Sequence, residues 1–186
     1  MIGIFVLLGV VDLSAGKAKM ESQKCKQGDA KSCFLLGNMY DCYYQCELKR
    51  NLKKGRFFWK KACDGGNADG CYNLGLAYYD GREIKKNYSK AYTLFGKSCK
   101  KGGDYGCNRV GEMSMKGQGT RKNIDKAKKA FEKACDRGDG PGCFHLGEMF
   151  DLGTGRVKKN YKKAVKFYKE SCNNGHLEGC YKLENM

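Results

Sequence analysis

Four scarcities in the sequence narrow the class of protein before any motif is considered. A single proline in 186 residues disfavours a turn-rich β-sandwich and suits helices, since proline breaks helix interiors. Two histidines are few for a metalloenzyme, which needs several such ligands. Acidic residues number 20 against 36 lysines and arginines, a formal net charge of +16, so an acidic partner is conceivable. No apolar run approaches the roughly 20 residues of a membrane-spanning helix.

Cysteine, by contrast, is abundant: the chain has 12, more than ordinary usage. Such residues either bind metal or are oxidised outside the cytosol. Ten of them form five pairs whose members lie eight positions apart: Cys25/Cys33, Cys63/Cys71, Cys99/Cys107, Cys135/Cys143 and Cys172/Cys180. The first members recur every 36 to 38 residues. The cysteines therefore mark an internal repeat.

The residues before each later pair predict a helix. An asparagine lies twelve positions ahead of the pair, and asparagine is a preferred helix N-cap. An apolar, a small and a large aromatic residue follow at helical spacing, so we expect one buried stripe. A glycine three positions after the first cysteine is typical of a helix end. These positions are Asn51, Asn87, Asn123 and Asn160; Leu52, Tyr88, Ile124 and Tyr161; Gly55, Ala91, Ala127 and Ala164; Trp59, Phe95, Phe131 and Tyr168; and Gly28, Gly66, Gly102, Gly138 and Gly175.

A second helix is predicted near each second cysteine. It carries a leucine or valine, then a glycine that lets a neighbouring helix approach closely, and then a methionine or alanine. One helix–loop–helix unit cannot bury its apolar face alone and must stack on its neighbours. We therefore predict an all-α solenoid of four to five repeats. Its expected parts are a degenerate half-unit (16–32), repeats 33–70, 71–106, 107–142 and 143–179, and a C-terminal cap (180–186).

The cysteine spacing favours disulfides over zinc. Zinc ligands usually lie two to four residues apart, whereas a spacing of eight joins the end of one helix to the start of the next antiparallel helix. Cys42 and Cys46 stand outside the repeat. We expect them to form a sixth bridge; a reactive dithiol and an intermolecular link are the alternatives.

The apolar run at residues 2–11 has the length of a signal-peptide core, and small residues follow it at Ser14, Ala15 and Gly16. Residues 1–15 are therefore predicted to be a signal peptide, and the protein to be secreted or periplasmic. No lysine or arginine precedes the run, which is atypical. A buried helix or a lipid-facing anchor is the alternative.

Two segments carry a family resemblance: CYNLGLAYYDG at 71–81 and KNYSKAYTLFGKSC at 86–99. They resemble the Sel-like repeat, a relative of the tetratricopeptide repeat. With the cysteine spacing, residues 25–184 are similar to the secreted cysteine-rich Sel-like-repeat proteins of the Helicobacter type. The resemblance implies a secreted, disulfide-stapled helical superhelix. It also implies penicillin binding or weak β-lactamase activity, or interaction with host proteins.

The sequence assigns no catalytic residue. A serine β-lactamase needs Ser-x-x-Lys with Ser-Asp-Asn and Lys-Thr-Gly elements. The chain has Ser14-x-x-Lys17 and Ser98-x-x-Lys101 without the other two elements. We predict no metal site and no cofactor.

A ligand face is predicted from the second helix of each pair. Positions two and five after the second cysteine fall off the buried stripe, on the face that is concave in tetratricopeptide-like superhelices. Asn73, Arg109, Glu112, His145 and Glu148 would line it together. An ordinary solvated helix face is the alternative interpretation.

The lysines lie opposite the aromatic stripe and are interpreted mainly as a solvated face. Nucleic-acid binding would need stacking aromatics beside them, so no nucleic acid is expected. Two hypotheses remain. One is a hydrolase that binds a β-lactam or peptidoglycan-like molecule. The other is a non-catalytic scaffold that binds a peptide, a cell-wall fragment or a host protein.

Overall fold

The computed structural model describes residues 16–42, 44, 46 and 48–186, and within these ranges all regular secondary structure is helical. The predicted signal peptide, residues 1–15, lies outside them. The helices are α1 (16–26), α2 (Ala30–Asp41), α3 (Leu52–Asp64), α4 (Ala68–Asp80), α5 (Tyr88–Lys100), α6 (Asp104–Lys116), α7 (Ile124–Cys135), α8 (Gly140–Leu152), α9 (Tyr161–Asn173) and α10 (Leu177–Glu184). In the part of the chain described, no helix is long and apolar enough to cross a membrane.

Helices pack mainly on their neighbours in sequence, within each of two compact units. In the first unit, which ends at Lys86, α2 packs on α3 and α3 on α4. In the second, residues 87–186, the same relation runs from α5 through α10. Repeated helix pairs that pack mainly on their neighbours are the architecture of solenoid proteins. The predicted all-α solenoid class is therefore confirmed.

The capping residues and turn glycines of the first helix in each pair are also confirmed. Helices α3, α5, α7 and α9 each begin after a capping asparagine whose side-chain oxygen accepts the backbone N–H three residues on, at 2.8 to 3.0 Å. Such a cap satisfies a donor that the helix itself leaves unpaired. The five glycines that follow the first cysteines have left-handed φ angles between 80° and 101°. Glycine adopts that conformation without a side-chain clash.

The start of the second helix in each pair differs from the prediction by three residues. The prediction places it near the second cysteine, whereas the structure begins the helix earlier, directly after the turn. The cysteine is then the fourth helical residue in every case: Cys33 in α2, Cys71 in α4, Cys107 in α6, Cys143 in α8 and Cys180 in α10.

A capping residue explains the earlier start of three of these helices. Asp29, Asn67 and Asp139 each follow a left-handed glycine, and their side chains accept backbone N–H groups of the first turn of α2, α4 and α8. The turn therefore passes straight into a helix. The first turns of the second helices thus contain the repeat boundaries predicted at 33, 71, 107 and 143 and the cap boundary predicted at 180.

At Gly37, Gly111 and Gly147, a buried aromatic ring packs on a glycine of the facing helix. Trp59, Phe95, Phe131 and Tyr168 are at most 2% exposed. A Cβ atom added at Gly111 would lie 2.6 Å from Cδ1 of Phe131, and one at Gly147 would lie 2.6 Å from Cδ1 of Tyr168. The ring thus lies directly on the backbone of the facing helix. This is the close approach that the glycine position predicts.

One part of the predicted buried stripe is wrong. Leu52 is buried, but Tyr88 is 36% exposed and Tyr161 52% exposed. These residues occupy the first position of their helices, where a long side chain can reach past the edge of the packed surface. The Tyr161 hydroxyl donates to the backbone oxygen of Met186 at 3.0 Å. A tyrosine here keeps its polar tip near water.

All twelve cysteines are disulfide bonded. The five bridges between residues eight apart have Cα–Cα distances of 4.5 to 4.7 Å, and they are Cys25–Cys33, Cys63–Cys71, Cys99–Cys107, Cys135–Cys143 and Cys172–Cys180. Cys42 and Cys46 form the sixth bridge, with a Cα–Cα distance of 5.5 Å. Each regular bridge ties the end of one helix to the first turn of the next. A short covalent loop of this kind restricts the unfolded chain and so stabilises the folded one.

Candidate functional site

Four predicted face residues form a connected cluster on α6 and α8. Arg109 and Glu112 lie on α6, and His145 and Glu148 lie at the same repeat positions on α8. In each helix the two residues are three positions apart, so they share one face. The two helices also contact each other directly. We call these four residues the polar ladder.

Charged contacts connect the ladder from end to end. Arg109 Nη1 donates to Glu112 Oε2 at 2.8 Å. Glu112 Oε1 lies 3.5 Å from His145 Nε2, and His145 Nδ1 lies 3.2 Å from Glu148 Oε2. The link between Glu112 and His145 joins successive repeats. The ladder therefore extends along the stacking direction of the second unit.

The ladder rests on aromatic rings and is only partly exposed. The His145 ring lies 4.7 Å, between ring centres, from Phe131 and 6.0 Å from Phe144. The four polar side chains are between 20% and 38% exposed. They are thus held against a buried core with one edge facing solvent. These contacts restrict the motion of the four side chains.

The contacts fix the charge state of His145. Burial by itself lowers its pKa, but hydrogen bonds to Glu112 and Glu148, together with their charges, raise the pKa to about 9. Burial raises the pKa of Glu112, yet its contacts with His145 and Arg109 give a net lowering. The ladder therefore carries two positive and two negative charges at neutral pH. A protonated imidazole cannot accept a proton as a general base.

Asn108 belongs to the same site, and the predicted face did not include it. Its side chain is buried, and its Nδ2 donates to Glu112 Oε1 at 3.2 Å. The available signal was its position one turn before Glu112 on α6, where an i, i+4 pair can form. This hydrogen bond from the buried Asn108 side chain holds the Glu112 carboxylate in place.

The fifth predicted face residue, Asn73, belongs to the first unit. Its Nδ2 donates to Asn38 Oδ1 at 2.9 Å, and Trp59 Nε1 donates to the same oxygen at 2.9 Å. Asn38 and Asn73 occupy the repeat positions that Glu112 and His145 occupy in the second unit. The first unit thus has an uncharged counterpart of the contact between Glu112 and His145. The structure brings together four of the five predicted residues and places Asn73 in a separate pair.

Neither a serine nucleophile nor a metal centre emerges from the described residues. Ser98 is 1% exposed, and its hydroxyl lies against Gly106 of α6, where no substrate can reach it. Ser14 lies outside the described residues. Cys135, Cys143 and Glu170 are close enough to hold an ion, but the two sulfurs are bonded to each other. Metal binding requires thiolates.

The fold and the ladder together define a class of protein: a disulfide-stapled helical repeat protein with a polar ladder that joins two successive repeats. The family is established by sequence. The model of the Sel1 repeat matches residues 30–67, 68–103, 104–139 and 140–176, and the chain belongs to the Sel1 repeat family. The resemblance drawn from the repeat motifs is confirmed. The matched repeats begin three residues before the predicted boundaries, at the first residues of α2, α4, α6 and α8.

Solved structures show the same fold. A protective antigen of uropathogenic Escherichia coli displaying an SLR fold is 25% identical, with a TM-score of 0.83 over 91% of this chain and 36% of that protein. A Sel1 repeat protein from Oxalobacter formigenes is 22% identical, with a TM-score of 0.80 over 89% of this chain and 65% of that one. Helicobacter pylori cysteine-rich protein B is 28% identical, with a TM-score of 0.59 over 74% of this chain and 97% of that one. The chain thus spans about a third of the E. coli protein and just under two thirds of the Oxalobacter protein. A search of curated proteins found no match.

The disulfides also indicate the compartment. Six bridges in one short chain point to an oxidising environment outside the cytosol, because cytosolic thiols are kept reduced.

Proposed function

We propose that this chain is a non-catalytic binding scaffold, secreted or periplasmic, which holds a peptide or protein partner on the polar ladder. The observation that carries the proposal is the chain of contacts from Arg109 through Glu112 and His145 to Glu148. These side chains are already held in place before a partner arrives. A preorganised site loses less conformational entropy on binding.

The chemistry of the ladder suits a polypeptide. It offers donors on Arg109 and acceptors on Glu112 and Glu148, spread over two repeats, while His145 links the two carboxylates. A peptide presents donors and acceptors along its backbone at similar intervals, together with side chains of either charge. Repeat proteins use extended surfaces of this kind to bind partners.

β-Lactam hydrolysis, the activity that the family resemblance implies, has less support. An acyl-transfer enzyme needs a nucleophile within reach of a base. The most favourable base in the ladder, His145, is protonated at neutral pH, and Ser98 is buried. The geometry of these residues therefore favours binding.

Selection of peptides from a random library on the oxidised protein tests the proposal, with affinities then measured by calorimetry. The informative variant is Arg109→Gln with Glu148→Gln, which removes one charge of each sign from the ladder. The matched control is Lys60→Gln with Asp64→Asn, which removes the exposed ion pair of α3 in the first unit. We expect about tenfold weaker binding in the ladder variant and less than twofold in the control, since hydrogen bonds to charged groups contribute roughly 1.5–3 kcal/mol.

Selected peptides that bind the ladder variant as tightly as the original protein would overturn the proposal. A second assay addresses hydrolysis directly. The oxidised protein is incubated with a chromogenic cephalosporin, and its mass is measured after exposure to penicillin. We expect turnover equal to that of buffer and no covalent adduct. Turnover that is lost in a His145→Gln variant would establish the hydrolase instead.

A further inference from the structure

A cavity of about 520 Å³ lies within the second unit, away from the ladder residues. It opens between α5 and α7, and Val110 of α6 forms part of its floor together with Gly96 and Ala130. Its volume is within the range of pockets that bind small molecules, roughly 300–1,000 Å³. The residues that line it belong to neither the ladder nor the aromatic stripe.

Two small residues, Gly96 and Ala130, leave the space for this cavity. Ala130 occupies the position where the other repeats have Phe58, Leu94 and Phe167. Gly96 occupies the position where they have a lysine or a glutamate, and a Cβ atom added to it would meet nothing within 4 Å. At the corresponding positions of the next helix pair, α7 and α9, the residues are Glu132 and Phe167. The cavity is thus a local departure from the repeat pattern.

Lysines surround the opening. The five are Lys97 and Lys100 from α5 and Lys126, Lys129 and Lys133 from α7. Among the residues that the structure describes, none of these five forms a salt bridge with a carboxylate. Lys126 instead lies over the ring of Tyr92, with its Nζ 5.0 Å from the ring centre. The rim therefore has uncompensated positive charge above an apolar floor.

This arrangement selects a ligand with two parts. An apolar chain or ring would cover Val110, Ala130 and the lysine stems, since long basic side chains bury their methylene groups and keep the charge in water. A phosphate or carboxylate would meet the ammonium groups, which bind such anions as point charges. The Thr93 hydroxyl already donates to the backbone oxygen of Ser89 at 3.0 Å, and the Tyr92 hydroxyl shares a hydrogen bond of 3.2 Å with Ser114. The lysine ammonium groups therefore make the contacts with the anion.

From this geometry we propose that the cavity between α5 and α7 is a binding site for an amphipathic anion, an apolar body with a phosphate or carboxylate head. The site is separate from the ladder and does not depend on the function proposed for it. Binding at one site can therefore be lost while binding at the other remains.

The test uses decyl phosphate as the probe, below its micelle concentration, with the oxidised full chain and isothermal calorimetry. Decyl maltoside has the same chain without the charge, and inorganic phosphate has the charge without the chain. Decanoate compares a carboxylate head with a phosphate head. We expect decyl phosphate or decanoate to bind at least tenfold more tightly than either single-part control, since each part contributes more than about 1.4 kcal/mol.

Two variants localise the binding. Ala130→Phe copies residue 167 of the repeat and fills the cavity, so about tenfold weaker binding is expected. Lys100→Gln with Lys133→Gln removes two rim charges and should weaken binding about three- to tenfold, since each exposed ion pair contributes only modestly to affinity. Lys162→Gln with Lys169→Gln on α9 is the matched control for net charge, with less than twofold change expected.

Circular dichroism of each variant confirms that it folds, and the lysine variant keeps the test decisive if Ala130→Phe does not. The proposal fails if no probe binds, if inorganic phosphate or decyl maltoside binds as well as decyl phosphate, or if the two lysine variants weaken binding equally.

Discussion

The contact between Gly111 and Phe131 gives a sharp test of how the repeats pack. Alanine is ordinarily better than glycine inside a helix by about 0.5–1 kcal/mol. At Gly111, however, the new methyl group would lie 2.6 Å from Cδ1 and 2.8 Å from Cζ of Phe131. That ring is fully buried and rests against His145, so it cannot move aside at low cost. Overpacking of this kind costs about 1–3 kcal/mol, and we expect Gly111→Ala to destabilise the second unit by about 1–2 kcal/mol.

Gly96→Ala is the matched control for that substitution. It makes the same chemical change in the neighbouring helix of the same unit, but its methyl group enters open space. The intrinsic preference of the helix then dominates, and a gain of about 0.5–1 kcal/mol is expected. Urea unfolding of the oxidised proteins, followed by circular dichroism, measures both changes. Equal stability of the two variants, or a more stable Gly111→Ala, would refute the account of ring-on-glycine packing.

Three further predictions concern charge, covalent bonds and helix ends. The pKa of His145, measured by NMR, should be about 9. The contribution of protonated His145 to the free energy of unfolding is fully present below pH 6.5 and is lost as pH rises through 9. The contribution of the Glu112 carboxylate is lost as pH falls below its ordinary pKa of 4.5. Replacing Cys99 and Cys107 by alanine should lower the free energy of unfolding by about 2–3 kcal/mol. Chemical denaturation measures this change, and a clearly smaller value would contradict the prediction. Asn123→Ala should lower the free energy of unfolding by about 1 kcal/mol, because the backbone N–H of Lys126 loses its acceptor at 2.8 Å. A shift of the urea unfolding midpoint measures this loss.

Local features of the fold are predictable from the sequence because they depend on residues close in the chain. The capping asparagines, the left-handed glycines and the cysteine pairs each act within about ten residues. The second helices begin three residues before the positions that the cysteines predict, because caps such as Asp29 and Asn67 start them. Tyr88 and Tyr161 show where local reasoning fails, since their spacing matches the buried stripe but their exposure depends on how far the neighbouring helix extends.

The candidate site is predictable only in part, for a similar reason. Repeat position places Arg109, Glu112, His145 and Glu148 on one face, but the contact between Glu112 and His145 depends on the stacking of two repeats. That contact raises the pKa of His145 and so changes its chemical role. The cavity between α5 and α7 is not evident from the repeat pattern, because large residues define that pattern whereas the cavity depends on the small size of Gly96 and Ala130.

The most direct test of the binding proposal is an NMR titration of the ¹⁵N-labelled, oxidised protein with the tightest selected peptide. We expect the largest amide shifts on α6 and α8, around Arg109, Glu112, His145 and Glu148. Shifts confined to other helices, with the ladder amides unmoved at saturation, would contradict the binding proposal.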